Sequence, residues 1–262
     1  VTQPLAFDLY CGLGGWAEGF LSEGYRVIGF DIEAHDYGTG GYPGELVLRD
    51  VRSLTGAELV REYGIPAVMV GSSPCQEFSY RARPWKRAKA LPPPYLGIEL
   101  FEQQFRIQRE VSEAAGRYIP LIVENVRGAQ KWVGRARWSF GSYYLWGDVP
   151  ALMPPITARK VSGFRFDGSG KSFQSASVER TQKTPAGNCT AVMWKDRPIA
   201  RYASPTAEEF GKHEFGWAGS EMRKGTSHGA RRKAASALIA KIPFPLAQHI
   251  ARCFKPLTEN TL

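Results

Sequence analysis

"LAFDLYCGLGGWAEGF" (residues 5–20) decides the fold. Leu5 to Leu9 is a short apolar run of strand length, and Gly12, Gly14 and Ala17 then fall into the pattern GxGxx(G/A) at the mouth of a helix read at Gly15 to Ser22. Glycines at those positions permit a tight turn and the close approach of a ligand to backbone NH groups and a helix N-terminus. An ordinary strand-to-helix turn can carry the same glycines. What lies downstream separates the two readings.

Further strands are read at Arg26 to Asp31, Leu46 to Asp50, Ala67 to Gly71 and Ile119 to Glu124, with helices at Thr55 to Tyr63 and Ile98 to Arg117. This alternation is that of a parallel α/β sheet covered by helices. "IPLIVEN" (119–125) is apolar nearly throughout, so it belongs in the middle of the sheet. The second and third strands end in "FDIE" (Asp31, Glu33) and "LRD" (Asp50). A carboxylate at such a strand end can hold ribose hydroxyls, which points to an adenosine-containing cofactor. Asp8, just before the glycines, suits a diphosphate poorly and a cationic cofactor such as S-adenosylmethionine better.

The chain has 262 residues, enough for one large domain carrying a smaller insertion. It is 43% hydrophobic and 23% charged, a globular composition, and its net charge of +9 favours a polyanionic partner. Four cysteines lie far apart with no CxxC, so neither a zinc site nor a dense disulfide framework is expected. No membrane span or signal core is legible, and a monomer in a reducing cytoplasm is the expectation.

Residues 159–198 change in texture. They are rich in Gly, Ser and Thr, show no helical period, and hold eight basic against three acidic residues. We expect a small β-rich insertion there. Near the C-terminus a helical pattern returns, divided by Pro243 and Pro245.

Cys75 in "AVMVGSSPCQEFS" stands just past the carboxyl end of a strand, where open α/β sheets build their sites. Pro74 fixes the local backbone. A lone cysteine there is better explained by an inert buried thiol. Glu124 strengthens the catalytic reading, because it puts a carboxyl group at the same edge, where partial burial raises its pKa and lets it donate a proton. Together "FDLYCGLGG", "PCQEFS" and "ENV" resemble the cofactor, nucleophile and acid motifs of the DNA cytosine-5 methyltransferase family, in the same order, and "ENVRGAQKWVGRARWSFGSYYLWGDVP" is most similar to bacteriophage-encoded members.

That resemblance implies a Rossmann-like S-adenosylmethionine-dependent methyltransferase sheet over residues 1–156 and 221–262, with target recognition in 157–220 and double-stranded DNA as partner. It implies that Cys75 attacks carbon 6 of a flipped-out cytosine while Glu124 protonates the adjacent ring nitrogen. For the cofactor it implies the backbone around Phe7, Gly12 and Gly14, with Pro74, Asp31 for ribose and Asp50 for adenine; no metal is called for. The basic loop with Arg81, Arg83, Trp85, Lys86 and Arg87 would close over DNA. The family's base-holding arginine has no clean copy, and Arg135 and Arg137 are the nearest candidates. Its Gly-Asn pair before the last helix is replaced by Ala240 and Lys241. The short insertion suggests a recognition sequence of two to four bases. A DNA-binding relative without catalysis, a nicotinamide oxidoreductase and an RNA cytosine methyltransferase are the rival readings.

Overall fold

The structure, a computed structural model, describes residues 3–36, 40–79, 93–153, 237 and 240–256. The chain divides into two compact units, one of residues 1–35, 42–155 and 242–262 and the other of 36–41 and 156–241. The expected β-rich insertion and the recognition region 157–220 lie outside the described residues, as does the basic loop 80–92.

The first unit is built on β1 (Leu5–Leu9), α1 (Gly15–Ser22), β2 (Arg26–Asp31), β3 (Glu45–Leu48), α2 (Gly56–Tyr63), β4 (Val68–Gly71), α3 (Tyr95–Ala115), β5 (Leu121–Asn125), α4 (Gln130–Val133), β6 (Trp138–Phe140), β7 (Tyr143–Gly147) and α5 (Phe244–Cys253). One seven-stranded sheet runs β3-β2-β1-β4-β5-β7-β6. Strands β1 to β5 are parallel, and β7 lies antiparallel between β5 and β6. This is the Rossmann-like α/β sheet with helices on both faces that the sequence predicts.

Side chains alternate across each strand, so the sheet has two distinct faces. Leu5, Phe7, Leu9, Ile28, Phe30, Met69, Leu121 and Val123 point to one face and pack with Leu59, Phe101, Ile107 and Val111 of α2 and α3. Phe7, Phe30 and Tyr63 meet edge to face there, with ring centroids 5.7 to 6.3 Å apart. Each fully buried side chain of this size contributes roughly 1.5–3 kcal/mol. The other face carries Ala6, Val27, Val68, Val70, Ile122 and Leu145 against Trp16, Ala17 and Phe20 of α1 and Leu246, Ala247, Ile250 and Ala251 of α5. Glu124, Asp8 and Gly29 belong to this second face by the same alternation.

Element ends follow local chemistry. β3 stops at Leu48, earlier than predicted, because the Asp50 side chain accepts from Arg52 N at 2.9 Å and caps a 3-10 turn at Val51–Ser53. α2 begins one residue late because Thr55 is its N-cap and joins Glu58 in a capping box. α3 begins at Tyr95, three residues before prediction, since Pro94 sits outside the helix as its N-cap residue and removes no helical donor. Pro245 is accommodated in the first turn of α5 for a similar reason. The β6–β7 hairpin was not predicted. β6 has three residues, too few to show a period.

Candidate active site

Four segments meet at the carboxyl edge of β1, β4 and β5. After β4 the chain leaves the sheet with Ser72 N donating to Leu9 O at 3.1 Å, and the next residues turn through Pro74 to Cys75. Beyond Cys75 the NH groups of Phe78 and Ser79 return to its carbonyl at 3.1 and 3.0 Å. Phe78 is fully buried, and the Glu77 carboxylate accepts from Gly97 N in the first turn of α3 at 2.7 Å. The cysteine therefore stands on a turn anchored at both ends.

The end of β5 completes that anchoring. Asn125 Nδ2 donates to Ser73 O and to Ser73 Oγ, both at 3.1 Å, and its Oδ1 accepts from Val126 N at 2.8 Å. Fifty residues apart in sequence, the two loops are locked by one amide side chain. Glu124, 8% exposed, is pushed up to about pKa 8 by burial, opposed only by the Ser72 hydroxyl that donates to it. Ser72 Oγ itself accepts from Trp16 Nε1 at 3.0 Å. A chain of hydrogen bonds thus runs from α1 through Ser72 to the buried acid.

Burial, and then the Glu124 charge, push the Cys75 thiol up to about 11. A protonated Glu124 removes that repulsion, so acid and nucleophile are coupled. Tyr143, the first residue of β7, shares Glu124's face, and Glu124 lies opposite Leu145 in the register. Burial first and the Glu124 charge second raise the Tyr143 phenol above its usual range, which places it in the same electrostatic site. Neither Trp16 nor Tyr143 was singled out from sequence, and Ser72 is read there only as one of three hydroxyls, with Ser73 and Ser79, that make the surroundings of Cys75 polar. Two serines before PC are visible there, but which one faces the acid depends on how β4 and β5 pair.

Several expected residues stand elsewhere. Arg135 and Arg137 do not reach Glu124. Trp138, which follows Arg137, pairs with Leu145 on β7, and Leu145 pairs with Glu124 on β5, so two strand spacings, about 10 Å, separate that segment from the acid. No arginine contributes to the Glu124 shift. Asp8 is fully buried rather than facing a ligand, with Tyr42 Oη donating to its Oδ2 at 3.2 Å. Burial, with the Asp31 charge adding to it and the Tyr42 hydrogen bond opposing, holds its carboxyl well above the usual range. Tyr42 reaches it by lying over Gly29, where a Cβ would overlap its ring. Phe7 is a core side chain of the opposite face.

The glycine turn and the strand ends beside it do present a cradle. Gly12, at φ +50°, has open space where a Cβ would stand, and its NH donates to Asp31 Oδ2 at 3.0 Å. Gly14, at φ +72°, is covered by Pro43. Asp31 Oδ1 accepts from Ile32 N at 2.8 Å, leaving lone pairs for a diol. Ile32 is 71% exposed, an apolar surface beside that carboxylate. Asp50 lies at the next strand end, held below the usual carboxylate range by hydrogen bonds from Arg52. Pro74 is exposed at the same edge. This donor and acceptor set fits a nucleoside with an apolar base face and a ribose diol, as S-adenosylmethionine has. Among the described residues no helix is long and apolar enough to cross a membrane, and no cluster of metal-ligating side chains occurs.

No protein-family profile and no curated protein sequence matches the chain. Solved structures similar to part of it include a protein described as a DNA modification methyltransferase encoded within an E. coli prophage, at 21% identity and a TM-score of 0.37, covering 50% of this chain and 34% of that one. Others are a Spodoptera frugiperda DNMT2 mutant (18%, 0.32, 49% and 37%) and S. pombe Dnmt2 (14%, 0.33, 50% and 36%). The chain thus matches only about a third of the length of these proteins, and likenesses this distant carry nothing about its chemistry.

Proposed function

We propose that the protein transfers a methyl group to carbon 5 of a cytosine in DNA, through a covalent adduct between Cys75 and carbon 6. The observation that carries this reading is a buried acid, Glu124, raised to about pKa 8, beside a thiol on the adjoining strand end. Addition of a thiolate to carbon 6 needs a proton delivered to the ring nitrogen next to the amino carbon, and an acid still protonated at neutral pH supplies it.

In the proposed sequence the Cys75 sulfur forms a bond to carbon 6 as Glu124 gives its proton to the ring nitrogen, which makes carbon 5 nucleophilic. S-adenosylmethionine would supply an electrophilic methyl group, held by Asp31, Asp50 and the backbone around Gly12. Loss of the carbon 5 proton to a base then drives elimination of Cys75, and Glu124 recovers its proton from the ring. Asn125 keeps the nucleophile turn against the acid, and Ser72 with Trp16 orients the carboxyl group. The base must leave its stack for carbon 6 to be reached. Residues 157–220 are assigned to target recognition and the basic loop with Arg81, Arg83, Trp85, Lys86 and Arg87 to backbone contact, on their place in the order of motifs and the loop's charge.

The test is incubation of the full chain with tritiated S-adenosylmethionine and cytosine-containing DNA duplex or RNA of the same sequence. Substitution of 5-fluorocytosine blocks loss of the carbon 5 proton and should trap a protein–DNA adduct, absent in Cys75→Ser. Binding of duplex with neither transfer nor adduct would sink the reading.

A further inference from the structure

Arg135 and Arg137, displaced from Glu124, line a different concavity. It is a cavity of about 380 Å³ on the β6 side of the sheet, bordered by Arg127, Gln130, Arg135, Arg137, Ser139 and Tyr144. Among the described residues three arginines border this cavity and no acidic residue does. Among the described residues none of the three forms an ion pair. Other described arginines are paired, Arg26 with Glu45, Arg52 with Asp50, Arg106 with Glu110 and Arg252 with Glu23, while Arg117 donates to Pro66 O. Unneutralised like charges around a shared space repel, and an anion in that space reverses the sign of the interaction.

The backbone bearing these arginines is held in place. Gln130 Oε1 accepts from Ala136 N at 3.2 Å, and its Nε2 donates to Arg127 O at 3.4 Å. Arg137 N donates to Leu145 O at 2.9 Å, and Trp146 Nε1 donates to Gly134 O at 2.9 Å. Arg127 is carried on a 3-10 turn that starts two residues after β5 ends at Asn125. The backbone around the cavity is therefore held in place, and its lining includes three arginines, a serine and a tyrosine. Planar forks of NH donors match the oxygens of a phosphate, and Ala136 and Trp138 complete the lining.

We propose that this cavity is a phosphate-binding site. On the function proposed above, its occupant is a backbone phosphodiester of the substrate strand. Ser139 pairs with Tyr144, and Tyr144 with Asn125, so by strand alternation the cavity lies on the Asn125 side of the sheet, the face opposite Glu124, with Arg127 two residues beyond Asn125. It positions the nucleic acid and reads no base.

The experiment is phenylglyoxal labelling of the intact protein, read at each arginine by mass spectrometry, with DNA duplex, with inorganic phosphate at equal phosphate concentration, or with neither. Protection of Arg127, Arg135 and Arg137 by duplex alone assigns a backbone phosphodiester, whereas protection by both assigns a site that also takes free phosphate. Unchanged labelling of all three in both arms overturns the proposal. The triple variant Arg127→Gln/Arg135→Gln/Arg137→Gln should bind duplex about tenfold more weakly, with the slope of log affinity against log salt reduced by about one. An unchanged slope, in a variant whose melting temperature matches the parent, also overturns it. Methyl transfer is measured separately: protection without transfer leaves this site standing and removes the proposed chemistry, and transfer without protection does the opposite.

Discussion

The two faces of the sheet are built from the same strands and differ completely in chemistry. Toward α2 and α3 the strands present Leu5, Phe7, Leu9, Ile28, Phe30, Met69, Leu121 and Val123, an apolar surface with the polar Asn125 at the end of β5. Toward α1 and α5 the same strands present Asp8, Gly29 and Glu124 among the apolar residues, two carboxyl groups and a gap filled by Tyr42. Burying a carboxyl group without an opposite charge is unfavourable, and here it is met by neutralisation: both carboxyls are raised toward the protonated form. One face holds the fold together, and the other gives up stability for a group that can donate a proton at neutral pH.

Substitutions can break that contrast. The largest effect expected is on the second face: Glu124→Gln removes the proton donor and should lower methyl transfer by at least 10³-fold, as Cys75→Ser should, with the protein still folded by near-ultraviolet circular dichroism. On the first face Phe7→Ala opens a cavity and should destabilise by about 3–5 kcal/mol in urea unfolding. Transfer per folded molecule should remain near the parent value. A Phe7→Ala protein that is stable but inactive would contradict the division.

A pH series sharpens the same comparison. Glu124 in the folded protein binds its proton up to about pH 8, well above an unfolded glutamate, so the folded state holds the extra proton in between. Stability from this group is full below the unfolded value and is lost as pH rises through about 8. Glu124→Gln should therefore melt higher than the parent at pH 8.5 and close to it at pH 5, by differential scanning calorimetry. In the proposed reaction the active pair is protonated Glu124 with ionised Cys75. Because the acid titrates near 8 and the thiol near 11, kcat/KM should rise about tenfold per pH unit below 8 and then level.

A smaller effect belongs to the chain from α1. Ser72 donates to Glu124 and lowers its pKa, so Ser72→Ala should raise the pH at which the kcat/KM profile levels and reduce transfer roughly tenfold. Trp16→Phe, which removes only the donor to Ser72, should move the profile in the same direction by less. A Ser72→Ala enzyme with an unmoved profile would make Ser72 merely structural.

Much of the sheet and the two reactive positions were legible in the sequence, because the signals are local. A strand of five alternating residues, a glycine turn that needs positive φ at Gly12 and Gly14, and a cysteine or carboxyl group at a strand end can each be read within a dozen residues. The sequence by itself determined that Cys75 and Glu124 stand at one edge of a parallel sheet. Tertiary structure alone decided what surrounds them. Asn125 bonded to Ser73, Trp16 bonded to Ser72, Tyr143 on Glu124's face and the arginines carried two strands away all depend on strand order and register between segments 50 or more residues apart, or on a hairpin too short to show a period. Asp8 makes the same point at a single residue. Its place before the glycines suggested a charge for a cofactor, and only its face of the strand, with Tyr42 packed across Gly29, makes it a fully buried acid whose carboxyl is raised well above the usual range by that burial.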